Sequence, residues 1–134
     1  MCNLMARKYG DYRKVEQRAH SLIEAATERI SKVGIEDFRE ILLGYLGDMF
    51  RNYRVLENTR QDSILFPGAL SNYLIAKSLY LSGFLALSNL IKDGPLINRL
   101  NQHQELFEHL AENLELERRS TTERPEKLLE SLAD

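Results

Sequence analysis

Two histidines in the last third of the chain are the side chains that come nearest to a chemical site. His103 and His109 lie on one predicted helix together with several glutamates. Six positions on a helix leave the two imidazoles about 120° apart, so they cannot hold one metal ion together. We therefore expect no metal site. His103 falls between Leu100 and Phe107 in the apolar stripe and should be largely buried, whereas His109 should lie on the polar face.

No other pattern predicts catalysis or cofactor binding. Cys2 is the single cysteine, so neither a disulfide nor a cysteine-based zinc site is expected. The serines lack the glycine-flanked elbow of the hydrolases, and there is no glycine-rich phosphate loop. We expect no cofactor and favour a non-enzymatic protein, while an active site assembled from residues distant in sequence stays open.

The charge balance argues against a strongly charged partner. The 134 residues carry 18 basic and 20 acidic side chains, a net charge of −2, which does not favour nucleic acid or an anionic membrane. Basic patches at Arg7–Arg18 and Arg51–Arg60 leave a nucleic-acid accessory protein as a minor alternative. Residues 1–33 carry +3 and residues 104–134 carry −5. A basic first helix and an acidic last helix can lie side by side, within one chain or between two copies; the alternative is two separate solvated faces of opposite charge.

The choice of apolar residues predicts an all-α fold. Leucine occurs 23 times and valine three times, and leucine favours helices whereas β-branched residues favour strands. The spacing of apolar residues predicts a four-helix bundle-like single domain, residues 1–134, with a short additional C-terminal helix. The predicted helices are Asp11–Val33, Glu36–Leu56, Ala69–Ile91, Pro95–Glu117 and Glu126–Ala133, with Gly34 as a stop signal after the first and Pro67 as a start signal before the third. Residues 1–10 are expected to be frayed, and residues 118–125 to form a loop.

The third predicted helix is apolar on nearly all sides. Tyr73–Ile91 is about as long as a bilayer requires, but Lys77 at the centre of a span would cost about 2.5–3.5 kcal/mol. A helix that is apolar all round is also what the centre of a bundle requires. We expect a core helix and no membrane span. The first residues lack the apolar run of a secretory signal, so we expect a cytoplasmic protein.

Two glycines inside the second helix are not explained by the helix itself. Gly44 and Gly47 lie opposite its core stripe, and each costs about 1 kcal/mol relative to alanine. Either the helix is broken near Leu43–Asp48 and the glycines form a bend, or another backbone approaches closely, from a second chain or from the returning loop Glu57–Phe66. We favour close approach. The interface candidates are Gly44, Gly47, Leu43 and, from a ridge of small residues on the third helix, Ala76 and Gly83.

Other residues of the third helix suggest a pocket. The candidate pocket residues are Tyr73, Tyr80, Phe84 and His103. A polar ridge on the same helix either faces solvent or lines a polar seam or pocket; it consists of Ser71, Ser78, Ser82 and Asn89. The residues before this helix, Ile64–Phe66, are expected to form an apolar plug over the core.

The main functional hypothesis is a non-enzymatic protein–protein interaction module. It would be a small helical adaptor or regulator that self-associates, as a homodimer, or binds a partner helix. The alternative is a small-ligand-binding or catalytic bundle with its pocket between the third and fourth helices. The pocket needs a cavity of about 300 Å³ or more beside His103, whereas the interaction module needs an exposed apolar patch.

Overall fold

A computed structural model gives the fold, and the structure describes residues 12–91 and 96–120, with side chains at 13–91 and 103–120. Four α-helices make up 90% of these residues, and none of them lies in a β-strand. The helices are α1 Tyr12–Val33, α2 Ile35–Glu57, α3 Phe66–Ile91 and α4 Leu96–Arg119. The predicted all-α, bundle-like fold is confirmed, and the predicted helix ends differ from these by no more than three residues.

Two of the predicted segments at the ends of the chain lie outside the described residues. These are the frayed residues 1–10 and the short helix at 126–133. The loop expected at 118–125 lies partly within the described residues, which end at Ser120. In that part of the chain, α4 continues to Arg119 and a turn follows at Ser120. The prediction that a loop begins at 118 is therefore wrong by two residues, because the last turn of α4 includes Arg118 and Arg119.

A single residue, Gly34, connects α1 to α2. Its φ of +91° lies in the left-handed region that glycine adopts most readily. Its N–H donates to the Ile30 carbonyl at 2.8 Å, and its own carbonyl accepts from the Phe38 N–H at 3.0 Å. Gly34 thus ends one helix and begins the next, as its position after an apolar-periodic run predicted.

The turn before α3 covers the core with only one of its three apolar residues. Phe66 is 2% exposed, whereas Ile64 and Leu65 are 95% and 70% exposed. The Phe66 N–H donates to the Ser63 carbonyl at 3.1 Å, which closes a turn that leaves Ile64 and Leu65 on the outside. The expected apolar plug is therefore reduced to Phe66.

α3 is the central helix, because it packs against each of the other three. Its buried residues face three neighbours, which explains why its sequence shows no single apolar stripe. It has the length and the mean hydropathy, 1.5, of a membrane span, and half of that stretch is buried inside the bundle. Burial on several sides is what a core helix requires.

α1 and α4 pack against each other as well as against α3. Val15 and Ala19 of α1 share a core cluster with Leu110 and Leu114 of α4. At the edge of this contact the Arg18 Nη2 lies 3.0 Å from Glu117 Oε1. The basic first helix and the acidic last helix therefore lie side by side within the chain, one of the two arrangements predicted from their charges.

Candidate functional site

An apolar groove runs along one side of the contact between α2 and α3. These helices are antiparallel, since Leu42 packs against Gly83 near one end and Tyr53 against Tyr73 near the other. The groove has a volume of about 290 Å³, and we call it the α2–α3 groove. Its lining residues are Arg39, Leu42, Leu43, Leu46, Tyr80 and Phe84. The arginine and the tyrosine hydroxyl are its only polar side-chain groups.

The close contact beside this groove depends on a glycine in α3. A Cβ atom at Gly83 would lie 2.9 Å from Leu42 Cδ1 and 3.3 Å from Phe38 Cζ. Glycine therefore lets these two side chains of α2 pack directly on the backbone of α3. Gly83 and Ala76 are both buried inside the chain. As interface candidates they are not accessible, because the ridge of small residues packs within the protein itself.

The α2 wall of the groove continues beyond it as an exposed apolar row. Leu43, Leu46, Phe50 and Tyr53 follow one another at steps of three and four residues, so they share one face of α2. Leu43 is 67% exposed, Phe50 is 56% exposed and Tyr53 is 44% exposed. Single exposed apolar residues are ordinary, but a row of large ones beside a groove is typical of an interaction surface.

The α3 side of the groove is aromatic. The rings of Tyr80 and Phe84 have centroids 6.1 Å apart, and those of Tyr53 and Tyr73 have centroids 5.5 Å apart. Between these pairs, Lys77 Nζ lies 5.9 Å from the centre of the Tyr73 ring, within cation–π range. This surface therefore combines apolar side chains with one half-buried cation.

The titratable groups on this face are poorly hydrated. Burial lowers the pKa of Lys77 below its ordinary value of 10.5, an effect that Glu112 of α4 opposes. Burial raises the pKa of Tyr73 above 10.0, and the neighbouring Tyr53 raises it further. Both shifts disfavour the charged form, as expected where neighbouring side chains displace water.

The glycines of α2 have no close neighbour within the described part of the chain. A Cβ atom at Gly44 would meet no described atom within 4 Å, and one at Gly47 would meet only the Arg51 side chain, at 3.5 Å. The bend considered near Leu43–Asp48 is wrong, because α2 is continuous from Ile35–Glu57. The returning loop does not approach either glycine, so approach by a second chain stays a prediction.

The four predicted pocket residues do not line one common groove. Tyr80 and Phe84 line the α2–α3 groove, whereas Tyr73 packs on Tyr53. His103 lies on α4 and lines neither this groove nor two others of about 210 Å³. It is intermediate in exposure, with most of its surface covered, which agrees with the prediction that it is largely buried.

One member of the predicted polar ridge of α3, Ser78, forms a polar seam with α4, whereas the Ser82 hydroxyl donates to the Leu79 carbonyl of its own helix. Asn113 Nδ2 donates to the Leu74 carbonyl and to Ser78 Oγ, both at 2.6 Å, and Ser78 Oγ donates to the same carbonyl at 2.9 Å. We call these three residues the α3–α4 seam. Ser71 is only partly buried and Asn89 is exposed, so the seam does not include them. Sequence reasoning missed Asn113, although its position between two core leucines was an available signal.

Two further sequence predictions concern the basic patch Arg51–Arg60 and a metal site. Within the patch Arg51–Arg60, Arg51 pairs with Asp48 and Arg60 pairs with Asp62 at 3.2 Å, so the patch is not a continuous cationic surface. No group of three His, Cys, Asp or Glu side chains among the described residues is arranged to hold a metal ion.

Comparison of the chain with protein-family models, curated proteins and solved structures finds no match in any of the three. The α2–α3 groove and the apolar row beside it are the surface features of the described residues that bear on function.

Proposed function

We propose that this protein is a non-enzymatic interaction module, a small helical adaptor or regulator. It binds the apolar face of a helix from another chain in the α2–α3 groove. The observation that carries this proposal is the apolar row of α2, in which Leu43 and Phe50 are 67% and 56% exposed beside that groove. Helix-in-groove recognition uses apolar anchors at this helical spacing.

The dimensions of the surface suit a short stretch of helix. The row from Leu43 to Tyr53 spans about 15 Å at a rise of 1.5 Å per residue, or about three helical turns. The groove lies at the Leu43 end, and the pair of Tyr53 and Tyr73 lies at the other. A bound helix of three turns would cover the full row.

The energetics also favour a protein partner. Full burial of a leucine or phenylalanine side chain is worth about 1.5–3 kcal/mol. Association costs about 4–15 kcal/mol of free energy in lost translational and rotational freedom. Burial of Leu43, Phe50 and Tyr53, together with the matching residues of the partner, offsets that cost. Binding therefore requires several apolar side chains that become buried together, and the apolar row of α2 provides several.

Site-specific photo-cross-linking tests the proposal. Benzoylphenylalanine at position 43 of the full chain, in the cells that make this protein, is expected to give discrete protein adducts, identified by mass spectrometry. The matched control is the same group at Gln17, which is exposed on α1. A Phe50→Glu change in the position-43 protein should abolish its adducts, because it puts a charge in the apolar row. Absence of any protein adduct specific to position 43 overturns the proposal.

A further inference from the structure

We propose that the helix bound at the α2–α3 groove is α2 of a second copy of this chain, packed antiparallel about a two-fold axis. This inference rests on the proposed function, because it names the partner of the same groove. It is carried by the order of residues along the exposed face of α2, by their charges and by their exposure.

The exposed stripe of α2 reads alike in both directions. Its members follow one another at steps of three or four, with two adjacent residues in the middle: Glu36, Arg39, Leu43, Leu46, Gly47, Phe50, Arg54 and Glu57. About a centre between Leu46 and Gly47, glutamate matches glutamate, arginine matches arginine, and leucine matches phenylalanine, and these six residues are exposed; the central pair itself does not match and is partly buried. A two-fold axis uses one surface patch twice and requires it to be self-complementary. An antiparallel pair of these helices meets that requirement.

Opposite charges meet in this arrangement. At 100° per residue, Glu36 and Arg54 lie toward one edge of the stripe. The two-fold axis reverses the helix direction and keeps each residue on its own edge. Glu36 of each copy therefore lies diagonally across from Arg54 of the other copy.

The second edge of the stripe repeats this pairing with Arg39 and Glu57. Parallel packing would instead set each charge beside its own counterpart, and like charges repel. None of these four side chains has an ion pair with another residue in the described ranges 13–91 and 103–120. They are exposed and available to a second copy.

The middle of the stripe provides the apolar contact. Phe50 of each copy faces Leu43 of the other copy, at the margin of the α2–α3 groove, where Phe84 is also 38% exposed. The contact therefore covers Leu43 and Phe50, which the single chain leaves exposed. It uses them in both copies at once.

Gly47 lies at the crossing point of the two helices. Its missing side chain lets the two backbones come close, as small residues do at helix crossings, once the exposed side chain of Arg51, 3.5 Å from where a Cβ atom of Gly47 would lie, turns aside. This accounts for one of the two mid-helix glycines. Gly44 lies about a third of a turn away from the centre of the stripe and stays outside the contact.

Charge reversal in two complementary variants of the full chain tests the arrangement. The basic variant carries Glu36→Arg and Glu57→Arg, and the acidic variant carries Arg39→Glu and Arg54→Glu. Each alone sets like charges across both edges, so the dissociation constant of its dimer should rise at least about tenfold. Their equimolar mixture restores every opposite pair and should form a mixed dimer within a few-fold of wild-type affinity. Sedimentation equilibrium reports the mass, expected to be twice 15.5 kDa for the dimer.

Control variants separate this contact from general effects. Glu24→Arg with Glu28→Arg makes the same charge change on the exposed face of α1 and should leave the dimer intact. Gly47→Leu should weaken the dimer while circular dichroism shows a folded helical chain, whereas Gly44→Leu should not. A wild type that stays monomeric at high micromolar concentration overturns the inference.

Two other results overturn the inference while sparing the proposed function. One is a dimer whose dissociation constant neither charge variant raises, because such a dimer must form through a different contact. The other is a position-43 cross-link to a different protein in cells, with no cross-link to the chain itself. The proposed function fails only if position 43 cross-links to no protein at all, so the two failures are distinguishable.

Discussion

α3 contacts α4 on one side and α2 on the other, and the two contacts are built in opposite ways. At the α3–α4 seam polar groups lie inside, where Asn113 donates two hydrogen bonds of 2.6 Å. Beside the α2–α3 groove apolar groups lie outside, and Leu43 and Phe50 are mostly exposed. A buried polar group requires a hydrogen-bond partner, whereas an exposed row of large apolar residues is typical of a surface that binds another molecule. Among the described residues, Asn113 Nδ2 finds both of its partners within one chain, although Asn113 Oδ1 has none, whereas the row beside the groove has no covering residues.

The largest expected difference between the two regions comes from the same substitution made in each. Leu114→Ala beside the seam should lower the free energy of unfolding by about 2–5 kcal/mol, because a residue 1% exposed leaves a cavity. Leu43→Ala should change it by less than about 0.5 kcal/mol, because this leucine is 67% exposed. Urea denaturation at low protein concentration measures both. Similar losses from the two changes would show that the row supports the fold of the single chain.

A second pair of variants separates a packed glycine from an open one. Gly83→Leu should cost about 1–3 kcal/mol or more, because even a Cβ atom there would lie 2.9 Å from Leu42. Gly44→Leu should stabilise the single chain by up to about 1 kcal/mol, since leucine favours helix and the site is open. Thermal unfolding of the two variants checks the opposite signs. A stabilised Gly83→Leu protein would contradict the packing described for α2 against α3.

The seam itself predicts a smaller coupling. A double-mutant cycle of Asn113→Ala and Ser78→Ala should give a coupling energy of about 0.5–1.5 kcal/mol, because these side chains share a hydrogen bond of 2.6 Å. The same cycle on Tyr53→Ala and Glu24→Ala, which lie on different helices without a contact between them in the described structure, should give additive losses. Denaturant midpoints of all six variants supply the comparison. Additivity at Asn113 and Ser78 would remove the case for a cooperative seam.

The smallest expected effect depends on pH and arises beside the groove. Burial lowers the pKa of Lys77 in the folded state below 10.5, so the unfolded chain binds the proton more tightly. The folded state carries a penalty at neutral pH, and stability from this group rises as the pH increases through the lowered pKa toward 10.5. Lys77→Met should therefore be slightly more stable than wild type at pH 7. That advantage should shrink above pH 10, as urea titrations at both values would show; a constant difference contradicts the assignment.

The sequence predicted helices and their ends well, because periodicity and end signals act over one or two turns. Gly34 ends α1 as expected, and Pro67 falls in the first turn of α3. It predicted individual burial less well. Ile64 belongs to an apolar run, yet it is 95% exposed because the turn closed between Ser63 and Phe66 leaves it outside the core, which no local pattern encodes.

The site was predicted only in part, for the same physical reason. Gly83 and Gly44 look alike in the sequence, since both are glycines within helices. One packs against Leu42 and the other faces open space. Tertiary packing assigns them different roles. The symmetric order of charges along α2 is present in the sequence. Its relation to the proposed contact between copies depends on which face of α2 is exposed, and only the structure gives that.

The single-residue connection at Gly34 has a consequence for how the chain is made. α1 and α2 are neighbours in sequence, yet each touches α3 more than it touches the other. During synthesis α3 is complete only 34 residues after α2 ends at Glu57, a delay of about 2–7 s at ordinary translation rates. In that interval Phe38 and Leu42 can pack against Ile30 of α1 but lack Ala86 and Leu87 of α3, which complete their cluster in the folded chain. The first two helices therefore keep part of their apolar faces uncovered until the central helix leaves the ribosome.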